Sequence, residues 1–542
     1  MKILRKIFKG RQLYLIIAVA AIALFINLGG WGVTETSEAR YAEISYEMYQ
    51  SGDYLHPRLL AIQHYHKPPM VYWFTALAYS FFGPSAFAAR FFLQMAVLLQ
   101  IILVYHLALL FFSKRQPALL AVLFYLSFVG VAISSRALTT DAWLNTFILG
   151  AIYFQAKRRI SQKVKWFYAA CFLLGLGFMT KGPVAFIVPI IVFPLINYHW
   201  PLVSKRFTWH NVGGISLFLI TALPWFIYLI VQNPTFFDYF VVKHTLNRFA
   251  TQQFNRHQPF WFFFALLPVI TGPWLFFNII QIKGYFHKPL SVGHILWIWI
   301  GGALLFFSFS SSKLVLYILP VLPAVAILTA LNWQRLMHEK QVKWNVVLSI
   351  YHSLILATLL LAPIFSPILL NFNIGMWTLV GVMAILLLYQ LYNISAPNKG
   401  IWVAALFTLS LTTFSTFFLG NHPELANDTL PVSRFVEEVL PPDGKILVYN
   451  KILPSMAFNT KLITTSIDAG DKSLKRETLF EEDSKWQNYL MDVTSEEIKN
   501  NEFFVGSVLV VKQKERIDSQ LEAWSDHYSK KKLVNNWIVY YN

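Results

Sequence analysis

Long apolar runs constrain the fold of this chain more than any other feature. A transmembrane helix needs about 20 mostly apolar residues, and a backbone in lipid must satisfy its own hydrogen bonds, which favours helices. Thirteen runs of roughly this kind lie near residues 12–30, 88–112, 116–134, 138–156, 166–180, 183–198, 212–232, 259–281, 292–310, 314–334, 345–366, 374–394 and 400–419. Only 13% of the chain is charged, which is too little for a soluble protein of this size. The sequence therefore predicts a polytopic, mainly α-helical membrane bundle of about 13 transmembrane helices.

The distribution of lysine and arginine predicts the orientation of this bundle. Cytoplasmic loops of membrane proteins carry an excess of these residues. By parity, the side that holds the first eleven residues also receives the cations near 114–115, 157–165, 205–206, 283–288 and 335–343. We therefore predict a multi-pass protein of the inner (plasma) membrane with a cytoplasmic N-terminus. The net charge of +18 is scattered over short loops, which argues against a nucleic-acid partner.

A second set of charged residues falls on the opposite, exoplasmic face by the same parity. It comprises Glu35, Glu38, Arg40, His64, His66, Lys67, Arg136, Asp141, Lys181, Lys243, His244, Arg248, Arg256, His257 and Lys313. Charges next to hydrocarbon are unfavourable and usually mark a functional site. Segments 31–87 and 233–258 also have the half-polar helical pattern of helices that lie in the interface. The cations depart from the positive-inside tendency, and their natural partner is an anion at the membrane surface.

The character of the sequence changes near residue 421. The stretch VSRFVEEVLPPDGKILVYN (432–450) predicts an amphipathic helix, a turn and a buried strand, and GSVLVVKQ (506–513) and NNWIVYYN (535–542) predict two more strands. We therefore predict a transmembrane domain over 1–420 and a small soluble α/β domain over 421–542 on the exoplasmic (periplasmic) side. The second domain has no glycine-rich phosphate loop, which favours a packing or docking role.

Several short motifs follow one another in the first 420 residues. They are SEARYAEISYEMYQSGDYLHPRL (37–59), HKPPMVYW (66–73), TTDAWL (139–144), GFMTKGPVA (177–185), HTLNRF (244–249), RHQPFWFF (256–263) and SSSKLVLYILP (310–320). Each motif is weak alone. In this order, and all on the predicted exoplasmic face, they resemble the aminoarabinose transferase (ArnT) family of GT-C glycosyltransferases, which is related to the protein O-mannosyltransferases.

The resemblance implies a GT-C fold and an inverting transferase that takes a sugar from a polyprenyl (undecaprenyl) phosphate at the outer face of the inner membrane. In the best-known members the sugar is 4-amino-4-deoxy-L-arabinose and the acceptor is lipid A. One alternative is a protein or polysaccharide acceptor with the same donor class. An alternative of another class is a transporter or flippase for the lipid-linked sugar. Transporters place polar groups near the midplane, often between repeated halves, whereas this chain keeps its charges at one face.

The motifs and the charge pattern together select site residues. Sugar transfer needs a carboxylate to deprotonate or orient the acceptor, and cations to stabilise the departing phosphate. We predict catalytic roles for Glu35, Glu38 and Asp141. Contacts with the donor phosphate or sugar are predicted for Arg40, Tyr41, Lys67, Lys181, Arg248, Lys313 and Tyr317. The structural alternatives are a helix cap by Asp141 and an ion pair between Glu38 and Arg40. For Lys67 the alternative is snorkelling to the interface.

Two departures from the family pattern affect these assignments. Ser37 precedes Glu38 where the family usually has an aspartate, so Glu35 or Glu38 must replace that acid if it is essential. His66 stands where the family usually has a glutamate. Together with His257, it would supply two ligands for a divalent metal such as Zn²⁺ or Mg²⁺.

Overall fold

The computed structural model of the protein describes residues 11–35, 37–203, 209–247, 258–285, 290–365, 372–392, 394–470, 474, 478–495, 498, 501–515 and 519–542. The chain forms two compact units, each built from separate stretches. Unit 1 comprises residues 1–26, 66–70 and 93–415, and unit 2 comprises 27–65, 71–92 and 416–542. The strands that the sequence predicts all fall in unit 2. The predicted division into 1–420 and 421–542 stays a prediction.

Helices make up most of unit 1 and also occur in unit 2. In chain order they are α1 (Gln12–Phe25), α2 (Ser37–Ser51), α3 (Met70–Phe82), α4 (Ala86–Phe112), α5 (Arg115–Leu126), α6 (Val129–Ser134), α7 (Asp141–Ser161), α8 (Lys165–Lys181), α9 (Ile187–His199), α10 (Trp209–Ala222), α11 (Pro224–Gln232), α12 (Phe262–Thr271), α13 (Trp274–Gln281), α14 (Val292–Phe309), α15 (Leu322–Gln334), α16 (His338–Phe365), α17 (Ile374–Tyr392), α18 (Lys399–Asn421), α19 (Pro423–Ala426), α20 (Leu430–Val439), α21 (Pro454–Thr460) and α22 (Ser519–Ser525). A π-helical segment covers Asp238–Asn247, and 3₁₀ turns cover Gly182–Phe186 and Val315–Val321.

The predicted number of about 13 spans is not confirmed. Within the described residues, seven helical stretches are long and apolar enough to cross a membrane, or up to nine when two sharply bent pairs are counted. Interruptions of the helices cause part of the difference between the predicted and the observed number of spans. The predicted span 116–134 is divided into α5 and α6, and the predicted span 259–281 bends by 109° between α12 and α13. Gly272 at this bend has a φ of 62° and is followed by a proline, a pair that ends a helix.

The chain reverses direction between α8 and α9, although both belong to one continuous apolar stretch. Lys181 at the end of α8 meets Asp141 at the start of α7. Asn197 near the end of α9 accepts a 2.6 Å hydrogen bond from Gln155 near the end of α7. The two helices therefore run along α7 in opposite directions, as two separate predicted spans require. Gly182 makes the turn with φ 67° and ψ −147°, a conformation that is essentially restricted to glycine.

Buried tryptophans connect the helices in the core of unit 1. Trp274, Trp299 and Trp333 are each no more than 1% exposed. Each indole N–H nevertheless has an acceptor: Ser127 Oγ at 2.8 Å, the Pro320 carbonyl at 3.0 Å and Asn398 Oδ1 at 2.7 Å, respectively. A buried N–H without an acceptor would be unfavourable, so these bonds fix the orientation of the rings as well as their packing.

Unit 2 contains a six-stranded sheet. Its strands are β3 (Lys445–Tyr449), β4 (Thr465–Asp468), β5 (Leu490–Asp492), β6 (Ser507–Lys512), β7 (Lys530–Val534) and β8 (Trp537–Tyr541), and a separate two-stranded hairpin joins β1 (Arg58–Leu59) to β2 (Ile62–Gln63). The order in the large sheet is β5-β4-β3-β6-β8-β7, with the first four strands parallel and the last two antiparallel. The predicted helix α20 and strands β3, β6 and β8 are confirmed. The sequence did not predict β4, β5 or β7 of this sheet. The lysine-rich, exposed residues of β7 are typical of an edge strand.

Candidate functional site

A polar pocket in unit 1 brings together five residues that the sequence predicts for the site. They are His66, Lys67, Asp141, Lys181 and Tyr317. The rest of its wall is formed by Pro68, Leu144, Val184, Phe240, Phe306, Phe307, Ser310 and Ser312. Its volume is about 90 Å³, which is room for several water-sized groups. Because the wall is largely apolar, charges inside the pocket interact more strongly than they would in water.

An ion pair between Asp141 and Lys181 is the central contact of this pocket. Nζ of Lys181 lies 2.5 Å from Oδ1 of Asp141, and both side chains are largely buried, at 8% and 10% exposure respectively. The fold favours both positions, because Asp141 begins α7 and Lys181 ends α8, where helix dipoles stabilise an acid and a base respectively. The same ammonium lies 4.1 Å from the ring centroid of Tyr317. Asp141 is therefore held by a specific cation in addition to the helix dipole.

Two further predicted residues approach the pocket from the segment after β2. Lys67 and His66 both line it, and the His66 ring stacks on Tyr239 with centroids 6.4 Å apart. Lys313 directly follows Ser312, a residue of the pocket wall. Its Nζ donates a 2.8 Å hydrogen bond to the carbonyl of Gln258, and burial lowers the pKa of Lys313. Unit 1 thus supplies Lys67 and Lys181 in the pocket, with Lys313 next to its wall.

Glu38 lies in unit 2, where it forms a buried ion pair with Arg90. The carboxylate is 3% exposed and accepts two hydrogen bonds of 2.8 Å from the guanidinium. Its Oε2 also accepts hydrogen bonds of 2.9 Å from the amide and hydroxyl of Thr34. The structural alternative, an ion pair, is thus realised with Arg90 instead of Arg40. The carboxylate of Glu38 thus already accepts four hydrogen bonds. Its catalytic role stays a prediction.

Arg90 is a residue that the sequence analysis missed. It is 0% exposed, donates to the carbonyls of Leu28, Trp31 and Gly32, and lies 3.7 Å from the ring centroid of Trp31. The signal was present, because Arg90 is the one charged residue in the long apolar helix α4. An ionisable residue in such a helix nearly always has a partner and a purpose.

Glu35, the third predicted carboxylate, is also in unit 2. Its Oε1 accepts a 2.8 Å hydrogen bond from the amide of Ser455, and its Oε2 is buried and has no hydrogen-bond partner among the residues that the structure describes. Burial raises the pKa of Glu35 to about 7, although the Ser455 bonds and the nearby charge of Arg40 act in the opposite direction. A carboxyl that titrates near neutrality is suited to exchange a proton, which keeps Glu35 a candidate for acid or base chemistry.

The remaining predicted residues are placed as follows. Arg40 is half-buried on α2, and the ring of Tyr41 on the same helix packs against Tyr72 with centroids 5.2 Å apart. Arg248 and His257 lie outside the described residues. Among the residues that are described, no group of three or more His, Cys, Asp and Glu side chains is placed to hold a metal. The described donors thus do not by themselves form a metal site.

Comparison with known proteins finds a matching family model and several relatives over part of the chain. The model of the family described as dolichyl-phosphate-mannose-protein mannosyltransferase matches residues 66–228, which include Lys67, Asp141 and Lys181. The undecaprenyl phosphate-alpha-4-amino-4-deoxy-L-arabinose arabinosyl transferase 2 of Pseudomonas fluorescens is 29% identical over 58% of either chain. The corresponding transferase of Aeromonas hydrophila is 31% identical over 61% of this chain and 62% of its own. That of Serratia proteamaculans is 28% identical over 74% of this chain and 75% of its own.

Solved structures extend the likeness to nearly the whole chain. ArnT from Cupriavidus metallidurans, in a crystal structure bound to undecaprenyl phosphate, superposes with a TM-score of 0.77 over 98% of this chain and 97% of that one, at 21% identity. The apo form gives a TM-score of 0.78. The alignments with the first two relatives cover less than two thirds of their lengths, whereas the fold is shared almost from end to end. The chain is thus similar in sequence to these arabinosyl transferases over part of its length, and it shares the fold of ArnT over nearly all of it.

Proposed function

We propose that this protein transfers a sugar from a polyprenyl phosphate carrier to an acceptor at the outer face of the inner membrane. The observation that carries the proposal is the convergence of Asp141, Lys67 and Lys181 in one pocket of unit 1. The names of the relatives support undecaprenyl phosphate as carrier and 4-amino-4-deoxy-L-arabinose or a related sugar as cargo. Lipid A is the acceptor that we propose. A protein or polysaccharide acceptor is the alternative.

The residues of the pocket suit the two halves of such a displacement. The acceptor hydroxyl gives its proton to the carboxylate of Asp141 while its oxygen attacks the anomeric carbon, with inversion. The bond from that carbon to the phosphate oxygen breaks, and the released phosphate gains negative charge. Lys67 and Lys181 stabilise that charge in a largely apolar pocket, where charge-assisted contacts are strong. Lys181 also holds the carboxylate of Asp141 in place until the acceptor arrives.

The direct test supplies purified protein with the undecaprenyl-phosphate-linked aminosugar and lipid A. Mass spectrometry is expected to show lipid A gaining one sugar while free undecaprenyl phosphate appears. Sugar transfer to a polysaccharide or a protein in place of lipid A would select the alternative acceptor. Movement of the intact donor between leaflets, without cleavage, would show that the protein is a flippase and not a transferase.

Lys67→Ala is expected to weaken the binding of polyprenyl phosphate by about ten- to a hundredfold. The reason is the loss of one charge-assisted contact, which contributes about 1.5–3 kcal/mol. Binding is measured with undecaprenyl phosphate in detergent micelles, and Lys340→Ala, at an exposed position of α16, is the control. Equal affinity of the two variants would remove Lys67 from the phosphate site.

We further propose that the N-terminus is cytoplasmic and that residues 421–542 are periplasmic. The two ends of α7 support this orientation. Asp141 in the polar pocket lies at one end, and Arg158 and Arg159 lie at the other end, about 25 Å away at 1.5 Å per residue. Cations at the end of a membrane helix favour the cytoplasmic side. Reporter enzymes fused after residues 165 and 343 are expected to be active on the cytoplasmic side, and a reporter after 425 on the periplasmic side. A cytoplasmic reporter signal at 425 would contradict the proposal.

A divalent metal held by His66 and His257 is the remaining proposal for this site. The support is chemical, because imidazole is a good ligand for Zn²⁺. The bound ion would add positive charge beside the phosphate. Elemental analysis of the purified protein is expected to find metal that decreases together with activity in His66→Ala. Fully active protein without metal would contradict the metal site, and the lysines alone would then bind the phosphate.

A further inference from the structure

A second pocket lies at the other end of α7 and is basic. Its walls come from the last turns of α7, from α8 and α9, and from the start of α10, all within unit 1. Its volume is about 1140 Å³, more than ten times that of the polar pocket. Arg158, Arg159 and His210 line it, and no Asp or Glu does so among the described residues. An anion inside it would therefore meet positive charge without a competing carboxylate.

One of the two arginines has a donor that no described residue satisfies. Nε of Arg159 is buried and has no hydrogen-bond partner among the described residues. The guanidinium of Arg158 lies 4.2 Å from the ring centroid of Phe167, a cation–π contact that favours this position of the group. A guanidinium presents its N–H groups as a fork that fits phosphate oxygens in pairs. A phosphate is therefore the anion that best fits this pair of neighbouring guanidinium groups.

Amide side chains add neutral polar contacts to the same pocket. Gln155 and Asn197 line it and are joined by their 2.6 Å hydrogen bond, and Gln162 lines it near the arginines. Such groups suit the hydroxyl or ester oxygens that accompany a phosphate in a lipid headgroup. The pocket therefore has a charged part and a neutral polar part, next to each other.

Apolar side chains on the neighbouring helices indicate that the anion carries hydrocarbon. Phe167, Leu174 and Phe193 line the pocket itself. On the same helices, Phe172 is 43% exposed and Ile190 is 67% exposed, as expected for side chains that contact lipid tails. A free inorganic phosphate would leave this apolar wall without a function. An amphiphilic anion would cover it.

We propose that the basic pocket binds the phosphate headgroup of an anionic membrane phospholipid, with phosphatidylglycerol as its simplest representative. The phosphate contacts Arg158 and Arg159, the glycerol contacts the amides, and the acyl chains lie along α8 and α9. Basic pockets between transmembrane helices on the cytoplasmic side are a known type of lipid site. This lipid is neither donor nor acceptor, and its site is about 25 Å along α7 from the polar pocket.

The test is native mass spectrometry of the detergent-purified protein with added phosphatidylglycerol or phosphatidylcholine. The wild type is expected to retain one phosphatidylglycerol in preference to phosphatidylcholine. Arg158→Gln/Arg159→Gln is expected to weaken that retention by at least about tenfold, since two charge-assisted contacts are lost. The matched control is Lys163→Gln/Lys165→Gln, which removes the same charge from two exposed positions between the end of α7 and the first residue of α8 and should retain the lipid.

Three results would overturn the proposal. Equal loss in the arginine and lysine variants would show general charge attraction instead of a site. Equal retention of the two lipids by the wild type would show that the anionic headgroup is not recognised. Displacement of phosphatidylglycerol by millimolar inorganic phosphate would show that the pocket recognises a free anion.

A second variant covers the case in which the glutamine variant does not fold. Arg158→Lys/Arg159→Lys keeps both charges and removes only the guanidinium forks. It is expected to retain phosphatidylglycerol more weakly than the wild type does, because an ammonium cannot make the paired contact. Retention equal to that of the wild type would refute recognition by the arginines.

Discussion

Asp141→Asn is expected to lower the rate of sugar transfer by about a hundredfold or more, the scale on which a positioned acid or base contributes to catalysis. The amide cannot accept the proton of the acceptor, and Lys181 loses the partner that lies 2.5 Å away. Transfer is measured in a single turnover with saturating undecaprenyl-phosphate-linked sugar. Binding of undecaprenyl phosphate should remain within a few-fold of the wild type, because Lys67 and Lys181 are unchanged.

The control for this variant is Asp443→Asn, the same change at an exposed turn of unit 2. Asp443 has a φ of 58°, a conformation that asparagine tolerates well, so the fold should be unaffected. Near-normal turnover of Asp141→Asn would transfer the role of base to another carboxyl. Glu35→Gln would then be tested first, since Glu35 has a pKa of about 7.

Arg90→Ala is expected to lower the free energy of unfolding by about 3–5 kcal/mol, because removing one partner of a buried ion pair leaves the other charge uncompensated. The carboxylate of Glu38 and three backbone carbonyls would lose their donors together. Thermal unfolding in detergent measures the effect. Arg115→Ala, at an exposed position, should change the stability by about 0.5 kcal/mol or less.

The Arg90 variant also clarifies the role of Glu38. If Arg90→Ala were as stable as the wild type, the ion pair would not be structural, and Glu38 would be available for catalysis. If it is destabilised, the activity of Glu38→Gln must be compared per folded molecule. Normal activity of the folded fraction would assign Glu38 to structure alone.

The sequence predicted the helical membrane fold because the hydropathy and the length of an apolar run are local properties, which depend only on residues that are close together in the chain. Motif order and charge then brought five residues of the polar pocket into view before any contact was known. The number of spans was less predictable, because a local break such as the one at Gly272 decides whether an apolar run is one straight helix. Hydropathy averages over that residue and cannot register it.

Contacts between distant residues were beyond the same reasoning. The ion pair of Glu38 with Arg90 joins residues 52 positions apart, and nothing in either local sequence names the other. The partner of Glu35 is the backbone amide of Ser455. Because every residue except proline has such an amide, no sequence motif indicates this partner. The pKa of Glu35 was unpredictable for the same reason, since it depends on burial by residues from the far end of the chain.

The discontinuous construction of unit 2 imposes an order on biosynthesis. Glu38 and Arg90 both lie within the first hundred residues, so both partners of this ion pair are synthesised early. The amide of Gly32, by contrast, is bound by Asp428 at 2.7 Å and Glu35 by Ser455, which are 396 and 420 residues later in the chain. At 5–20 residues per second these partners arrive roughly 20–80 s after the segments that need them. The loop after α1 is therefore synthesised long before Asp428 and Ser455, whereas the Glu38–Arg90 pair depends on no residue from the later part of the chain.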